Sequence, residues 1–227
     1  MSTFLVLEEL KGLSDDAYKA FNKKIIPTAQ QTLGVRLPVL RKIAARIAKN
    51  SPDEFIRMDK DNIYELVMLE GLVISSLNRP FAELLPPMED FLEKVDNWAQ
   101  VDTTVCNFRD ISWEKEAVLA VVKKWLRSEN EFVVRAGLVV LLSRFIDKQH
   151  LDTVFDLSQS VSHSGYYAYM GNAWLISVCM AKYPQETIGF FRANSLDNKT
   201  HNKAIQKSRE SFRVSKADKE ILNRLKR

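Results

Sequence analysis

Glycine and proline are scarce in this chain of 227 residues, which contains seven of each. Average usage would give about 16 glycines and 11 prolines. A β-sandwich or an α/β protein needs many glycines at its turns, so the scarcity favours long helices joined by short connections. The glycine patterns of the Rossmann and P-loop folds are also missing, which argues against both of these nucleotide-binding folds.

Cysteine is rarer still, because the chain has only Cys106 and Cys179. Two cysteines so far apart form neither a disulfide framework nor a zinc site, and their apolar surroundings predict that both thiols are buried. No apolar run reaches 18 residues, and the first ten residues lack the basic segment that opens a secretory signal. We therefore expect a cytoplasmic protein with no membrane span, no metal and no cofactor.

Apolar residues recur at helical spacing through most of the chain, and strand-like alternation is not sustained anywhere. Trp98, Arg135 and Trp174 fall in comparable predicted helices, 37 and 39 residues apart. Each of these helices follows a shorter one, and a basic helix comes last; the segments are Phe81–Leu92, Trp113–Leu126, Leu151–Ser158 and Asn202–Ser211. Helix pairs at such intervals are typical of a HEAT-like repeat α-solenoid, whose corresponding helices line a concave surface. We predict this all-α fold as a single domain over residues 1–227.

Basic residues are concentrated near the end of the chain. The formal net charge is +4, but the segment 199–227 alone carries +7, so the remaining residues sum to −3. A basic segment on a nearly neutral body indicates an anionic partner, and nucleic acid is the first candidate. The alternative is a solvated helical face with no partner.

Trp98 and Asp102 are separated by one helical turn and so share a helix face. An aromatic face beside a carboxylate suits a positively charged substrate. The alternative is a core tryptophan with an aspartate that caps its helix. Arg135 stands alone in an apolar helix, where it either faces a groove and meets a phosphate or forms an intramolecular salt bridge.

Aromatic residues crowd the segment 165–174, which contains three tyrosines and Trp174. Tyr166 and Trp174 are candidates for stacking on nucleic acid, although some of the four rings must belong to the core. Lys199, Lys203 and Lys207 follow at i, i+4 and i+8, and Arg209 and Arg213 come next. A phosphate backbone would offset the mutual repulsion of these charges, so we expect this helix to contact DNA.

The sequence resembles the AlkD-type DNA alkylation repair proteins, a superfamily of HEAT-like repeat DNA glycosylases. The resemblance covers most of the chain and rests on five features: the segment Thr32-Leu-Gly-Val-Arg-Leu-Pro-Val-Leu-Arg41, Trp98 with Asp102, Arg135, Trp174 within Asn-Ala-Trp-Leu-Ile-Ser, and Lys203-Ala-Ile-Gln-Lys207. It implies a C-shaped fold whose concave basic groove holds DNA through sequence-independent backbone contacts.

Active members of that superfamily excise cationic N3- and N7-alkylated purines without a metal. By resemblance, Asp102 would be the catalytic residue that stabilises the sugar cation formed as the base leaves. Trp98 and Trp174 would offer aromatic faces to the lesion and its deoxyribose, and Arg135 would hold the DNA backbone. A carboxylate near the anomeric carbon is the chief electrostatic requirement, because alkylation already makes the base a good leaving group.

One departure bears on excision. Active members carry a helical platform before the Leu-Gly-Val motif, but here Pro27 interrupts any continuous helix. The segments Ile26-Pro27 and Arg209–Ser215 are more similar to a divergent branch that lacks the lesion-recognition helix. The first hypothesis is therefore a protein that grips duplex or branched DNA with weak or absent excision. The alternatives are an active alkylpurine glycosylase and a HEAT-type scaffold that binds peptides.

Overall fold

The computed structural model describes residues 3–108 and 114–227. These residues form helices and no strand, with one isolated backbone bridge between Gln31 and Ile63, so the predicted all-α class is confirmed. The helices are α1 (Thr3–Gly12), α2 (Asp16–Ile25), α3 (Leu37–Asn50), α4 (Pro52–Arg57), α5 (Tyr64–Ser76), α6 (Phe81–Leu92), α7 (Trp98–Cys106), α8 (Lys115–Trp125), α9 (Glu131–Arg144), α10 (Leu151–Gln159), α11 (Tyr166–Lys182), α12 (Pro184–Ala193), α13 (Asn198–Glu210) and α14 (Lys216–Arg224).

The predicted pairing of a short helix with a following helix is present along the chain. Trp98 opens α7, Arg135 lies in α9 and Trp174 lies in α11, and these follow α6, α8 and α10. The basic helix α13 begins four residues earlier than predicted, because Asp197 caps it by accepting the backbone N–H of Thr200. Trp113, the predicted first residue of α8, lies outside the described residues. An all-helical chain with this pairing is what a HEAT-like α-solenoid requires.

The chain divides into two compact units, Met1–Glu114 and Lys115–Arg227. In the first unit, α5 packs against α3, α4, α6 and α7. Residues Tyr64 to Ser75 of α5 are all buried, which fits a helix surrounded by its neighbours. The single domain over residues 1–227 stays a prediction.

The second unit is centred on α11, which packs against α9 and α13, with α10 and α12 also in contact. Residues Val133 to Leu141 of α9 are buried as a continuous run. Because α9, α11 and α13 are neighbours, the arginine, aromatic and lysine segments of the sequence come together within this unit.

The prediction of two buried thiols is half right. Cys179 is buried in α11, and burial raises the pKa of its thiol to about 12. Cys106 is exposed, so the prediction for it is wrong. Cys106 is the last residue of α7, and the apolar residues around it pack inward while its own position faces solvent.

Candidate nucleic-acid interface

Trp98 and Asp102 lie on α7, whose start is fixed by Asn97. The Asn97 side chain caps the helix by accepting the backbone N–H of Gln100 at 3.1 Å. Trp98 and Asp102 are both half-buried. The Trp98 indole Nε1 donates a hydrogen bond of 3.2 Å to the carbonyl of Ile25, the last residue of α2. Trp98 therefore holds the end of α2 against the start of α7.

The segment after α2 is not helical, as Pro27 predicted. Asp96 fixes it from the loop before α7, because its carboxylate accepts the Thr28 hydroxyl and the Ala29 backbone N–H, each at 2.6 Å. Gln30 continues the connection by accepting a hydrogen bond of 2.6 Å from Gln100 Nε2. This segment and the start of α7 form one hydrogen-bonded network, and the network positions Trp98.

The Leu-Gly-Val motif is organised by a buried carboxylate. Glu65 on α5 is 2% exposed, and it accepts the backbone N–H groups of Leu33, Gly34 and Val35 at 2.9, 2.7 and 3.3 Å. Gly34 has a φ of +93°, and a Cβ there would lie 2.7 Å from the carbonyl oxygen of Asp15. Only glycine fits this position, so the turn that Glu65 of α5 binds explains the glycine of the Leu-Gly-Val motif.

Arg135 is placed in the interface between α9 and α11. It is 7% exposed, and its Nη1 donates a hydrogen bond of 3.1 Å to the carbonyl of Tyr167. Glu131, one turn earlier on α9, accepts the Tyr167 backbone N–H at 2.8 Å. The arginine side chain passes close to α11 at Gly171, where a Cβ would lie at an ordinary contact distance of 3.5 Å from Arg135 Cγ. Arg135 joins two helices, and its contact with DNA stays a prediction.

The aromatic segment contains half-buried rings and one exposed ring. Tyr167 stacks on Phe132 of α9, with ring centroids 5.3 Å apart, and so belongs to the packing. Tyr166 is 55% exposed and meets Tyr169 edge to face at 5.5 Å. Trp174 is half-buried two turns further along α11. Tyr166 is thus the ring of this segment that is most available to a partner.

Two lysines of α13, Lys199 and Lys203, lie near Tyr169. Lys199 Nζ lies 4.0 Å from the centroid of the Tyr169 ring. Lys203 is half-buried and donates a hydrogen bond of 3.0 Å to Gln206. The pKa of Lys207 is lowered by the burial of its ammonium group and by the nearby charge of Lys203. An open depression of about 400 Å³ lies here, lined by Tyr169, Lys199, Asn202, Lys203, Gln206 and Lys226.

The last residues of the chain hold Lys226 at this depression. Arg227 donates hydrogen bonds to the carbonyls of Leu196 and Asn194 at 2.9 and 2.7 Å. Its backbone N–H donates to the Asn202 side chain at 3.0 Å. These contacts place Lys226 beside α13, and the depression thereby gains a third ammonium group.

A family model described as DNA alkylation repair enzyme matches residues 6–208. The chain belongs to this family. A search of curated proteins found no match. The match includes Trp98, Asp102, Arg135 and Trp174 and ends at Ser208, so Arg209 and Arg213 of this alkylation repair family member lie beyond it.

The predicted site residues of this family member fall in both compact units. Trp98 and Asp102 belong to the first unit, and the others belong to the second: Arg135, Tyr166, Trp174, Lys203, Lys207, Arg209 and Arg213. Arg209 and Arg213 are exposed. Within the second unit, Tyr166 contacts Tyr169, and Tyr169 lines the same depression as Lys199 and Lys203. The convergence of all the predicted residues on one surface stays a prediction.

Four residues that line the depression were not among those predicted to contact DNA: Tyr169, Asn202, Gln206 and Lys226. The i, i+4 relationship of Lys199 to Lys203 pointed to this face of α13, but nothing in the spacing indicated that Tyr169 faces it from α11. Lys226 lines the depression next to Arg227, which is bound to the carbonyl groups after α12. The described part of the chain contains no group of three histidine, cysteine or acidic side chains that could hold a metal, and none of its helices is long and apolar enough to cross a bilayer.

Proposed function

We propose that this DNA alkylation repair family member binds duplex or branched DNA through the sugar-phosphate backbone, with weak or absent base excision. The observation that carries the proposal is the depression around Tyr169. Three lysines, Lys199, Lys203 and Lys226, border it together with polar side chains and one aromatic ring. This combination suits a phosphate and the sugar attached to it.

The positive charges of α13 repel one another, and a bound anion would reduce this repulsion. Burial lowers the pKa of the Lys207 ammonium, and the charge of Lys203 lowers it further because the two positive charges repel across one helical turn. A bound phosphate would reverse that effect and release counterions from the DNA, which is the main source of sequence-independent affinity. Arg209 in the last turn of α13 and Arg213 after the end of that helix add further exposed positive charge.

Tyr166 supplies the aromatic part of the proposed contact. Its ring is held edge to face by both Tyr167 and Tyr169, with centroids 5.1 and 5.5 Å away, so it is exposed but oriented. An oriented ring beside lysines packs against deoxyribose or stacks on an unpaired base at little entropic cost. Arg135 and Trp174 would support this surface from α9 and α11.

Weak or absent excision is supported by the surroundings of Trp98. The Trp98 indole N–H donates its hydrogen bond to the Ile25 carbonyl. The segment after Ile25 is not helical, and its Ala29 N–H is bound by Asp96. The alternative function, excision of cationic alkylpurines, is favoured by Asp102, which stands one turn from Trp98 on the same helix. The carboxylate is the group that excision would need.

Two measurements test the proposal. The dissociation constant for several unrelated duplexes should be similar and should rise steeply with salt, as expected when phosphate contacts dominate. Affinity that is insensitive to salt, or an absence of binding, would contradict DNA binding and favour the peptide-binding alternative. Chromatography of DNA methylated on purine nitrogens, after incubation with the protein, should show little or no released base. Rapid release would establish the glycosylase alternative.

A further inference from the structure

Phe212 is the most exposed large apolar side chain in the described chain. Its relative exposure is 103%, whereas Leu5, Phe21 and Tyr166 lie between 55 and 61%. The residue stands in the turn between α13 and α14. A phenyl ring fully in water contributes no buried apolar area to the fold, so its whole surface is available for burial against a partner.

The turn that carries Phe212 is well ordered by its neighbours. Ser211 donates its backbone N–H to the Ser208 carbonyl at 3.2 Å, and its hydroxyl accepts the Arg213 backbone N–H at 3.2 Å. Val214 is buried, and Ser215 caps α14 by accepting the Asp218 backbone N–H at 3.1 Å. The ring is thus presented on a braced turn, and the entropy lost when it binds is small.

The charges beside the ring identify the chemistry of the partner. Arg209 and Arg213 are exposed on either side of Phe212 in the sequence, and Lys216 is exposed at the start of α14. The neighbouring acid, Glu210, accepts a hydrogen bond of 2.8 Å from Gln206. An apolar ring between guanidinium groups fits a base face between phosphates, and it would repel a basic protein surface.

We propose that Phe212 stacks on a base-pair face exposed at a gap or branch in DNA, while Arg209 and Arg213 bind the flanking phosphates. The inference rests on the proposed function, since it names the DNA feature that the same protein would prefer. An intact duplex offers no such face without the separation of two stacked pairs, whereas a discontinuity already exposes one. The turn lies beyond the residues 6–208 that the family model matches.

The test compares an intact duplex with the same duplex opened by a one-nucleotide gap, with 2-aminopurine placed beside the gap. Phe212→Ala should weaken binding to gapped DNA by about 5- to 160-fold, the range of one base–aromatic stack, and leave the intact duplex unchanged. Phe212→Trp should retain the preference for the gap. The 2-aminopurine fluorescence should respond to wild type and Phe212→Trp but not to Phe212→Ala. Phe21→Ala, which removes the 56% exposed ring of α2, is the matched control.

Three results would overturn the inference. They are equal weakening on both DNAs, no weakening on either, and a wild-type dimer that becomes monomeric in Phe212→Ala, which would assign the ring to a contact between two copies of the chain. Failure of the proposed function is distinct from these, because wild-type protein would then bind neither DNA. Circular dichroism should show the same fold for all variants, since the exposed ring supports no packing.

Discussion

Lys199 on α13 and Tyr169 on α11 form a cation–π pair, with the ammonium nitrogen 4.0 Å from the ring centroid. The pair joins the aromatic segment of the chain to its basic segment. Tyr169 also orients Tyr166, so one tyrosine connects an exposed ring with the lysines of α13. This relationship makes the second compact unit the better supported part of the candidate interface.

Removal of the three lysines of the depression should weaken DNA binding and its dependence on salt. In the triple variant Lys199→Ala, Lys203→Ala and Lys226→Ala, the slope of log K against log salt should fall by up to about one per residue, because each lysine would neutralise one phosphate. Fluorescence anisotropy at a series of salt concentrations measures both quantities.

A matched control separates a local effect from loss of net charge. Lys42, Lys123 and Lys148 are exposed and lie outside the lining of the depression, on α3, on α8 and after α9. Their replacement by alanine removes the same charge and should change the slope much less. Equal slopes for the two triple variants would show that the depression has no special role.

Asp102 provides a second prediction, which bears on excision. Asp102→Asn keeps the shape of the side chain but removes a charge that repels phosphate. DNA affinity should therefore stay equal or rise slightly, as filter binding or anisotropy can show. Any residual release of methylated base should fall by about 100- to 1000-fold, the usual effect of the loss of one electrostatic contribution to the transition state. A clear loss of DNA affinity with the fold intact would instead make Asp102 a structural residue.

The helices could be predicted from the sequence because hydrophobic periodicity and caps are local. The segment Phe81–Leu92 was predicted to the residue, although Pro86 and Pro87 lie inside it. Arg135 was harder, since a lone arginine in an apolar helix either faces outward or is paired. Which of these holds depends on Tyr167, which comes from the next helix pair.

Side-chain partners across long sequence separations could not be predicted from spacing. Glu65 lies about thirty residues from the backbone groups that it binds, and no pattern connects them. Cys106 was predicted to be buried because its neighbours are apolar, yet the end of α7 turns it to solvent. The exposed Phe212 was visible only as one aromatic residue among basic ones.

The carboxylate of Glu65 should be essential for the Leu-Gly-Val turn. Glu65→Gln replaces one acceptor oxygen with an amide that donates, so at least one of the three backbone N–H groups loses its partner in a buried site. The free energy of unfolding, measured by urea denaturation, should fall by about 1–3 kcal/mol. Glu220→Gln at an exposed position of α14 is the control and should stay within about 0.5 kcal/mol of wild type. Equal stability of the two variants would refute this role.

The stability of the C-terminal helices should depend on pH through His201. This side chain is fully buried, with its Nε2 2.8 Å from the Leu225 carbonyl oxygen and its Nδ1 3.2 Å from the Asn194 amide nitrogen. Burial lowers the pKa of His201, the hydrogen bond to Leu225 opposes that shift, and the charge of Arg227 adds to it. The neutral ring, with its proton on Nε2, satisfies both partners.

Because the folded pKa lies below the unfolded value of about 6.5, the unfolded chain binds a proton more readily. The stability that His201 contributes is therefore complete above about pH 6.5 and is lost as the pH falls from there through the folded pKa. The Tm of the wild type should decline on acidification over this range. His201→Gln should start from a lower Tm near neutral pH and show a weaker decline, while the half-buried His163→Gln should keep the wild-type pH dependence. His201 binds the Leu225 carbonyl beside Lys226, so His201→Gln should also weaken DNA binding near neutral pH. If the Tm of that variant depended on pH as the wild type does, His201 would not be the group responsible.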